Sequence, residues 1–215
     1  MNSSLVVASA AVLTVAASVV GTRAHWFPFR TGLALFALSG LLGAIAVVMG
    51  VWALRHGSSS GVIAAIIIGA LVMLPPAFGI VSAMGKPMIH DISTDLTDPP
   101  RFETLAVAPY DPTIASIQRK AYPDVQPIVV ASSPSDALNR ARAIAEENGW
   151  EIASSRPDAL EATATTGWFA FKDDVIVRVR PADGGSRVDV RSVSRVGKSD
   201  VGVNAKRIRA FVARF

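Results

Sequence analysis

Three long apolar stretches open the chain, and beyond them the hydrophobic positions break into short runs of alternating or helical period. The apolar stretches run from Ser4 to Val20, from Thr31 to Leu54 and from Gly61 to Met84. Each approaches or exceeds the roughly 20 residues that a helix needs to cross a bilayer core. The pattern therefore predicts a three-helix transmembrane anchor over residues 1–84. Its first stretch starts Met1-Asn2-Ser3-Ser4, without the basic region of a secretory signal, and so reads as a retained span. Small residues recur at spacing four, as Gly61, Ala65 and Gly69 in the third span and Ser39 and Gly43 in the second. That spacing predicts helices whose backbones approach closely in lipid. Trp26 and Trp52 sit at span ends, where interfacial aromatics belong. Pro75-Pro76 predicts a kink in the third span.

From residue 85 to 127 the pattern changes to proline: seven of the thirteen prolines of the chain lie here. Proline removes backbone donors and interrupts regular elements. Ile89, Ile92, Leu96, Phe102, Leu105, Val107 and Tyr110 still offer apolar surface. The expectation is an extended, ordered wrap over a domain, with one short helix near Thr113 to Lys120.

Residues 128–215 then read as that domain. Ile128 to Ala131 forms a strand. Ser133-Pro134-Ser135-Asp136 opens a helix with a capping residue, a proline at its first position and an acid completing a capping box. That helix buries Ala137, Leu138, Ala141, Ile144 and Ala145, and it stops at Asn148-Gly149. Trp150 to Ser154 is the next strand. Leu160, Ala162 and Ala164 alternate with polar residues, and Phe169, Phe171, Val175, Val177 and Val179 share one parity. Asp183-Gly184 is a two-residue hairpin turn. It pairs Arg178 with Asp189, Val179 with Val188 and Val177 with Val190, a register consistent on both faces. A last helix from Ser199 or Asp200 to Arg214 buries Ala205, Ile208, Phe211, Val212 and Phe215. The predicted fold is α+β: an antiparallel sheet with helices on one face, in the order β-α-β-β-β-β-α.

Charge sharpens the division. All 17 Asp and Glu lie between Asp91 and Asp200, and residues 1–90 carry only Arg23, Arg30, Arg55 and Lys86 as fixed charges. No ionisable residue sits inside a span, which argues against an ion or proton pathway. The net charge of +4 reflects the acid-free anchor. From residue 85 onward acids and bases nearly balance, which removes the case for nucleic-acid binding. A local basic excess remains over residues 187–215, suited to anionic lipid or an acidic partner. Cysteine is absent, which excludes disulfides, thiolate metal sites and thiol nucleophiles.

Three groups of polar residues invite a functional reading. His90, Asp91 and Asp95 could serve a base or a hydrolytic centre, with Asp173 as a distant fourth member. The competing reading makes the acids turn formers before Pro99-Pro100. Asp173 has the parity of core residues and must be paired, bulged outward or functional. The expectation is a bulge that turns Asp173 and Asp174 to solvent. Arg178, Arg191 and Arg195 on the sheet, and Asn204 and Arg207 with Lys206 and Arg209 on the last helix, are candidates for holding a partner or an anionic headgroup. Trp168, Phe169 and Phe171 would line a lipid cavity if the domain handles lipid, although an ordinary packed core explains them as well. No metal site and no cofactor motif is found.

Several motifs together resemble the family known as domain of unknown function 1499. They are Ile89-His90-Asp91-Ile92-Ser93-Thr94-Asp95 followed by Pro99-Pro100-Arg101-Phe102, Ala121-Tyr122-Pro123-Asp124, and Trp168 to Asp174 with Val175 to Arg180. Gly185 to Ser192, Ser194 to Gly197, Ser199 to Asn204 and Arg207-Ile208 complete the set. The resemblance covers about residues 87–215. It implies no established activity, and it implies association with an envelope or organelle membrane. That points to the outer side of the inner membrane, whereas the few loop arginines would place the domain in the cytoplasm. The overall expectation is a membrane-tethered module that binds a membrane or envelope partner, or an anionic lipid, with a hydrolase or metal-dependent enzyme and a lipid-handling domain as alternatives.

Overall fold

The computed structural model describes residues 2–57 and 60–215. The chain divides into two compact units, one holding the residues up to Met84 with Trp168–Ala170, the other holding Gly85–Gly167 and Phe171–Phe215.

The first unit contains α1 (Ser3–Arg23), α2 (Phe29–Leu54) and α3 (Ser60–Ala83). All three are long and apolar enough to cross a membrane. Asn2 caps α1 by accepting the Ser4 N–H through its side chain. α2 and α3 meet at glycines, as the small-residue spacing predicts. A Cβ on Gly43 would stand 2.6 Å from the Gly69 carbonyl oxygen, and the converse holds for Gly69. Only glycine permits that approach. α3 remains helical through Pro75-Pro76, and Pro76 packs where a side chain on Gly40 would stand.

The second unit begins with β1 (Asp91–Ser93), followed by a 3-10 turn (Pro112–Ile114) that runs into α4 (Ala115–Ala121). Then come β2 (Ile128–Val130), α5 (Pro134–Glu147), β3 (Glu151–Ser155), β4 (Ala159–Thr165), β5 (Lys172–Ala182), β6 (Gly185–Ser194) and α6 (Val203–Val212). The predicted order is all present. β1 is additional, since three residues are too short to show a period. The sheet is antiparallel in the order β1-β6-β5-β4-β3, with β2 also paired to β6. Around the Asp183-Gly184 turn, Arg178 faces Asp189 and Val177 faces Val190, as predicted.

One face of the sheet is apolar. Leu160, Ala164, Val175, Val177, Val179, Val188 and Val190 pack there under α5 and α6, with Ile144, Ile208 and Phe211 from the helices. Trp150 stacks on Phe211 at 5.4 Å. In α5 the Ser133 hydroxyl accepts the Asp136 N–H, and Asp136 returns a contact to that hydroxyl rather than to the Ser133 backbone.

Three expectations need correction. β5 starts at Lys172, so Phe169 and Phe171 are not strand residues. Thr166 and Phe171 close a loop on each other, with the Thr166 N–H on the Phe171 carbonyl and the Phe171 N–H on the Thr166 hydroxyl. No bulge interrupts β5, and both Asp173 and Asp174 are buried in continuous register. α6 starts at Val203 rather than Ser199, because Val201 and Gly202 take positive φ of 55° and 81°. The Asp200 carboxylate then caps the helix, accepting the N–H groups of Gly202 and Asn204.

Candidate functional site

Directly opposed residues of antiparallel strands share a face. The strand registers therefore sort the second face of the sheet into three rows. The middle row crosses four strands as Ser93, Arg191, Ile176 and Glu161. Toward the β5–β6 turn lies the pair Asp189 and Arg178. At the other end lie Asp91, Val193, Asp174 and Thr163.

The proline-rich segment covers the middle row. Its stretch from Pro99 to Pro109 has no regular element, yet buried backbone groups must find partners. The sheet supplies them from side chains. Glu161, fully buried, accepts the N–H groups of Glu103 (2.8 Å), Thr104 (3.1 Å) and Leu105 (2.8 Å), and pairs with Arg156 (2.9 Å). Burial pushes its carboxyl up, but those backbone donors and Arg156 outweigh it and hold Glu161 below the usual range. Arg191 does the complementary work. It is 1% exposed and forms a two-pronged pair with Asp91 at 2.9 and 2.7 Å. It also donates to the carbonyl oxygens of Pro100 and Ala108, at 3.2 and 2.8 Å. The rings of Phe102 and Tyr110 lie against its guanidinium at 5.4 and 5.6 Å. Burial and the charge of Asp91 push the Tyr110 hydroxyl up to about 12.

The row toward the turn is a closed ion cluster. Arg178, Arg180 and Arg187 converge on Asp95 and Asp189, and the first two also on Asp98. Burial would raise the Asp95 carboxyl. The N–H groups of Asp98 and Thr97, with Arg187 and Arg180, pull it below its ordinary range instead.

Beside the third row the segment leaves a gap. Between that row and the Leu105–Pro109 stretch opens a cleft of ≈ 690 Å³. Its apolar wall is Leu105 to Pro109 with Val193, and its polar groups include His90, Asp174 and Arg195. His90 Nδ1 lies 3.1 Å from the Ser194 carbonyl oxygen. A carbonyl only accepts, so Nδ1 carries the proton and Nε2 is the acceptor of the neutral ring. Asp174 binds Arg195 through both carboxylate oxygens, at 2.9 and 2.7 Å, and accepts the Thr163 hydroxyl at 2.9 Å.

Asn204 and Arg207 lie behind the cleft, where they dock α6. Asn204 is buried; its amide donates to the His90 carbonyl (2.8 Å) and the Ser194 hydroxyl (2.9 Å), and it accepts from the Ser192 hydroxyl. Arg207 joins Asp173 at 2.6 Å and also meets Asn204 and the Ser192 hydroxyl. Arg207 is therefore turned inward rather than toward water. Because Asn204 and the Ser194 N–H both hold the His90 carbonyl, this network positions the residue that lines the cleft.

The structure thus disperses the sequence candidates. His90 and Asp91 line the cleft, Asp95 belongs to the arginine cluster, and Asp173 lies under α6 with Arg207. Arg178 and Arg191 are engaged in internal pairs, whereas Arg195 is at the cleft with its Nη1 unpartnered among the described residues. No group of three or more His, Asp and Glu among the described residues is placed to hold a metal ion. Sequence reasoning passed over Glu161, whose parity in β4 marks it as solvent-facing, and read Leu105 and Val107 only as apolar surface of the wrapping segment, since residues 105–109 have no periodic signal that would mark the wall of a cleft.

The model of a family described as protein of unknown function (DUF1499) matches residues 91–215. No curated protein matches the chain.

Proposed function

The chain belongs to the DUF1499 family, and we propose that its C-terminal domain is a membrane-tethered binding module whose ligand seats in the cleft between the proline-rich segment and the third row. One observation carries this reading. Polar groups of the second face are otherwise engaged with each other or with the covering segment, but at the cleft His90 and Arg195 meet an apolar wall. The cleft volume is within the roughly 300–1,000 Å³ of small-molecule sites. The charge of Arg195 is offset by Asp174, so it serves as a hydrogen-bond donor more than as a free cation. His90 Nε2 is an acceptor. The ligand class that suits these groups is a small amphiphile whose polar head both donates and accepts, with an apolar part against Leu105, Val107 and Val193.

A second reading uses the same cleft, with His90 as a general base. It is favoured only by the orientation that Ser194 gives the ring, because Asp91 and Asp174 are both tied to arginines.

We further propose that the domain faces the outer side of the membrane, as the family resemblance implies. Two measurements test these readings. Native mass spectrometry of the full chain, purified from its own membranes, should show a bound small molecule that is lost in A106W, which fills the cleft, and reduced in R195A. A bound species retained in A106W, or none in the parent, refutes the cleft reading. A cysteine at Asp183→Cys should react with an impermeant maleimide before the inner membrane is lysed, and labelling only after lysis refutes the outer placement.

A further inference from the structure

The residues that follow α3 run beside the loop between β6 and α6. The Ser199 hydroxyl donates to the Pro87 carbonyl at 3.0 Å, and the Asp200 N–H donates to the Ile89 carbonyl at 3.2 Å. The methylenes of Lys86 pass 3.6 Å from where a Cβ of Gly202 would stand. Three apolar side chains project from this junction into solvent: Met88 is 72% exposed, Val201 38% and Val203 41%. Val201 does so from a left-handed backbone, φ 55°, which a β-branched residue rarely adopts. Lys86 and Lys198 are exposed beside them. The acid of the loop, Asp200, is buried as the cap of α6. Asp173, the acid whose charge acts on Asp200, is buried and paired with Arg207, and Asp124 is paired with Arg209.

Chain length adds an independent constraint. Met88 follows Ala83, the last residue of α3, by five residues. An extended chain of that length spans at most about 18 Å. If α3 lies in a bilayer, Met88 and the loop hydrogen-bonded around it cannot leave the neighbourhood of the interface.

We propose that Met88, Val201 and Val203 seat in the bilayer interface, with Lys86 and Lys198 on anionic lipid headgroups. This surface is distinct from the cleft. It rests only on the three apolar helices lying in the membrane. Apolar side chains flanked by lysines, with no free acid beside them, match what an interfacial segment requires. Each lysine should favour an anionic surface about fivefold, the equivalent of about 1 kcal/mol.

The absence of cysteine makes the test direct. The full chain carrying V203C, labelled with an environment-sensitive fluorophore, is reconstituted into nanodiscs whose lipids bear bromine on the acyl chains. D183C at the β5–β6 turn is the reference, some ten residues of strand away, or about 33 Å. Strong quenching at position 203 and little at 183 is the expected result. It should weaken in V201N, where asparagine tolerates the left-handed backbone and removes the apolar group, so that loss of folding does not explain the change. Equal quenching at 203 and 183 overturns the seating. Equal quenching in neutral and anionic discs, or no effect of K86E with K198E, overturns the role of the lysines. Failure of the parent chain to enter discs at all refutes the spanning premise instead.

Discussion

The two faces of one sheet are covered in opposite ways. On the first, α5 and α6 bring helices whose backbone hydrogen bonds are internally satisfied, so the sheet needs only apolar side chains such as Val177, Val190 and Leu160 beneath them. On the second, the cover is a proline-rich segment with no ladder of its own. The sheet must therefore present buried charge, with Glu161 accepting its N–H groups and Arg191 donating to its carbonyls. A cover without secondary structure transfers its hydrogen-bonding demand to the surface beneath it. That explains why an Arg and a Glu are among the largest fully buried side chains of the molecule.

Single substitutions should make the contrast measurable. The largest losses are expected at the centre of each face. F211A removes the ring stacked on Trp150 and should cost about 3–5 kcal/mol. R191A should cost a similar about 3–5 kcal/mol for a different reason, since it strands the Asp91 carboxylate in a buried site. Replacing the pair together, as D91L with R191M, separates the two. Thermal unfolding should return close to the parent value, because a buried ion pair is replaceable by apolar volume, while the Pro100 and Ala108 carbonyls remain without a donor and the segment is cut faster by protease. If the double variant is as unstable as R191A, the pair contributes more than charge compensation.

A smaller effect is expected at Glu161. E161Q keeps the shape but weakens the acceptor for three N–H groups, with an expected cost of about 1–3 kcal/mol. Acid offers the same test without mutation. The folded Glu161 carboxyl lies below its ordinary value, so its contribution is present above the ordinary carboxylate range and is lost as pH falls through the lowered folded value. Asp95 has the same sign. Amide exchange at Glu103 to Leu105 should therefore quicken in acid before that of α5, and E161Q should lose most of this dependence. The smallest effect belongs to the ion cluster near the turn. Arg180 is 36% exposed there, and R180A should change stability by less than about 1 kcal/mol.

The Asp183-Gly184 turn, with its complementary partners at Arg178 and Asp189, was readable because hairpin register follows from a local turn. The spans and the amphipathic α5 were readable for the same reason, since length and period are properties of neighbours along the chain. The family motifs were legible too, although they describe resemblance and not chemistry. Of the candidate site, His90, Asp91 and Arg195 were legible as residues but their grouping around one cleft was not. Asp173 finds Arg207 across 34 positions, Arg191 finds Asp91 across 100, and Glu161 holds a segment more than 50 residues earlier. Parity alone misdirects at Glu161, because it reports a face of the strand and not what covers that face. The expected solvent-facing bulge failed at Asp173 because a helix supplied a buried partner, Arg207. Elements and register were thus determined by the sequence through short-range sterics and period. Which charges are buried, which are paired, and where the covering segment leaves a cleft were decided only when distant segments met, since the free energy of a buried charge depends on partners that local sequence does not contain.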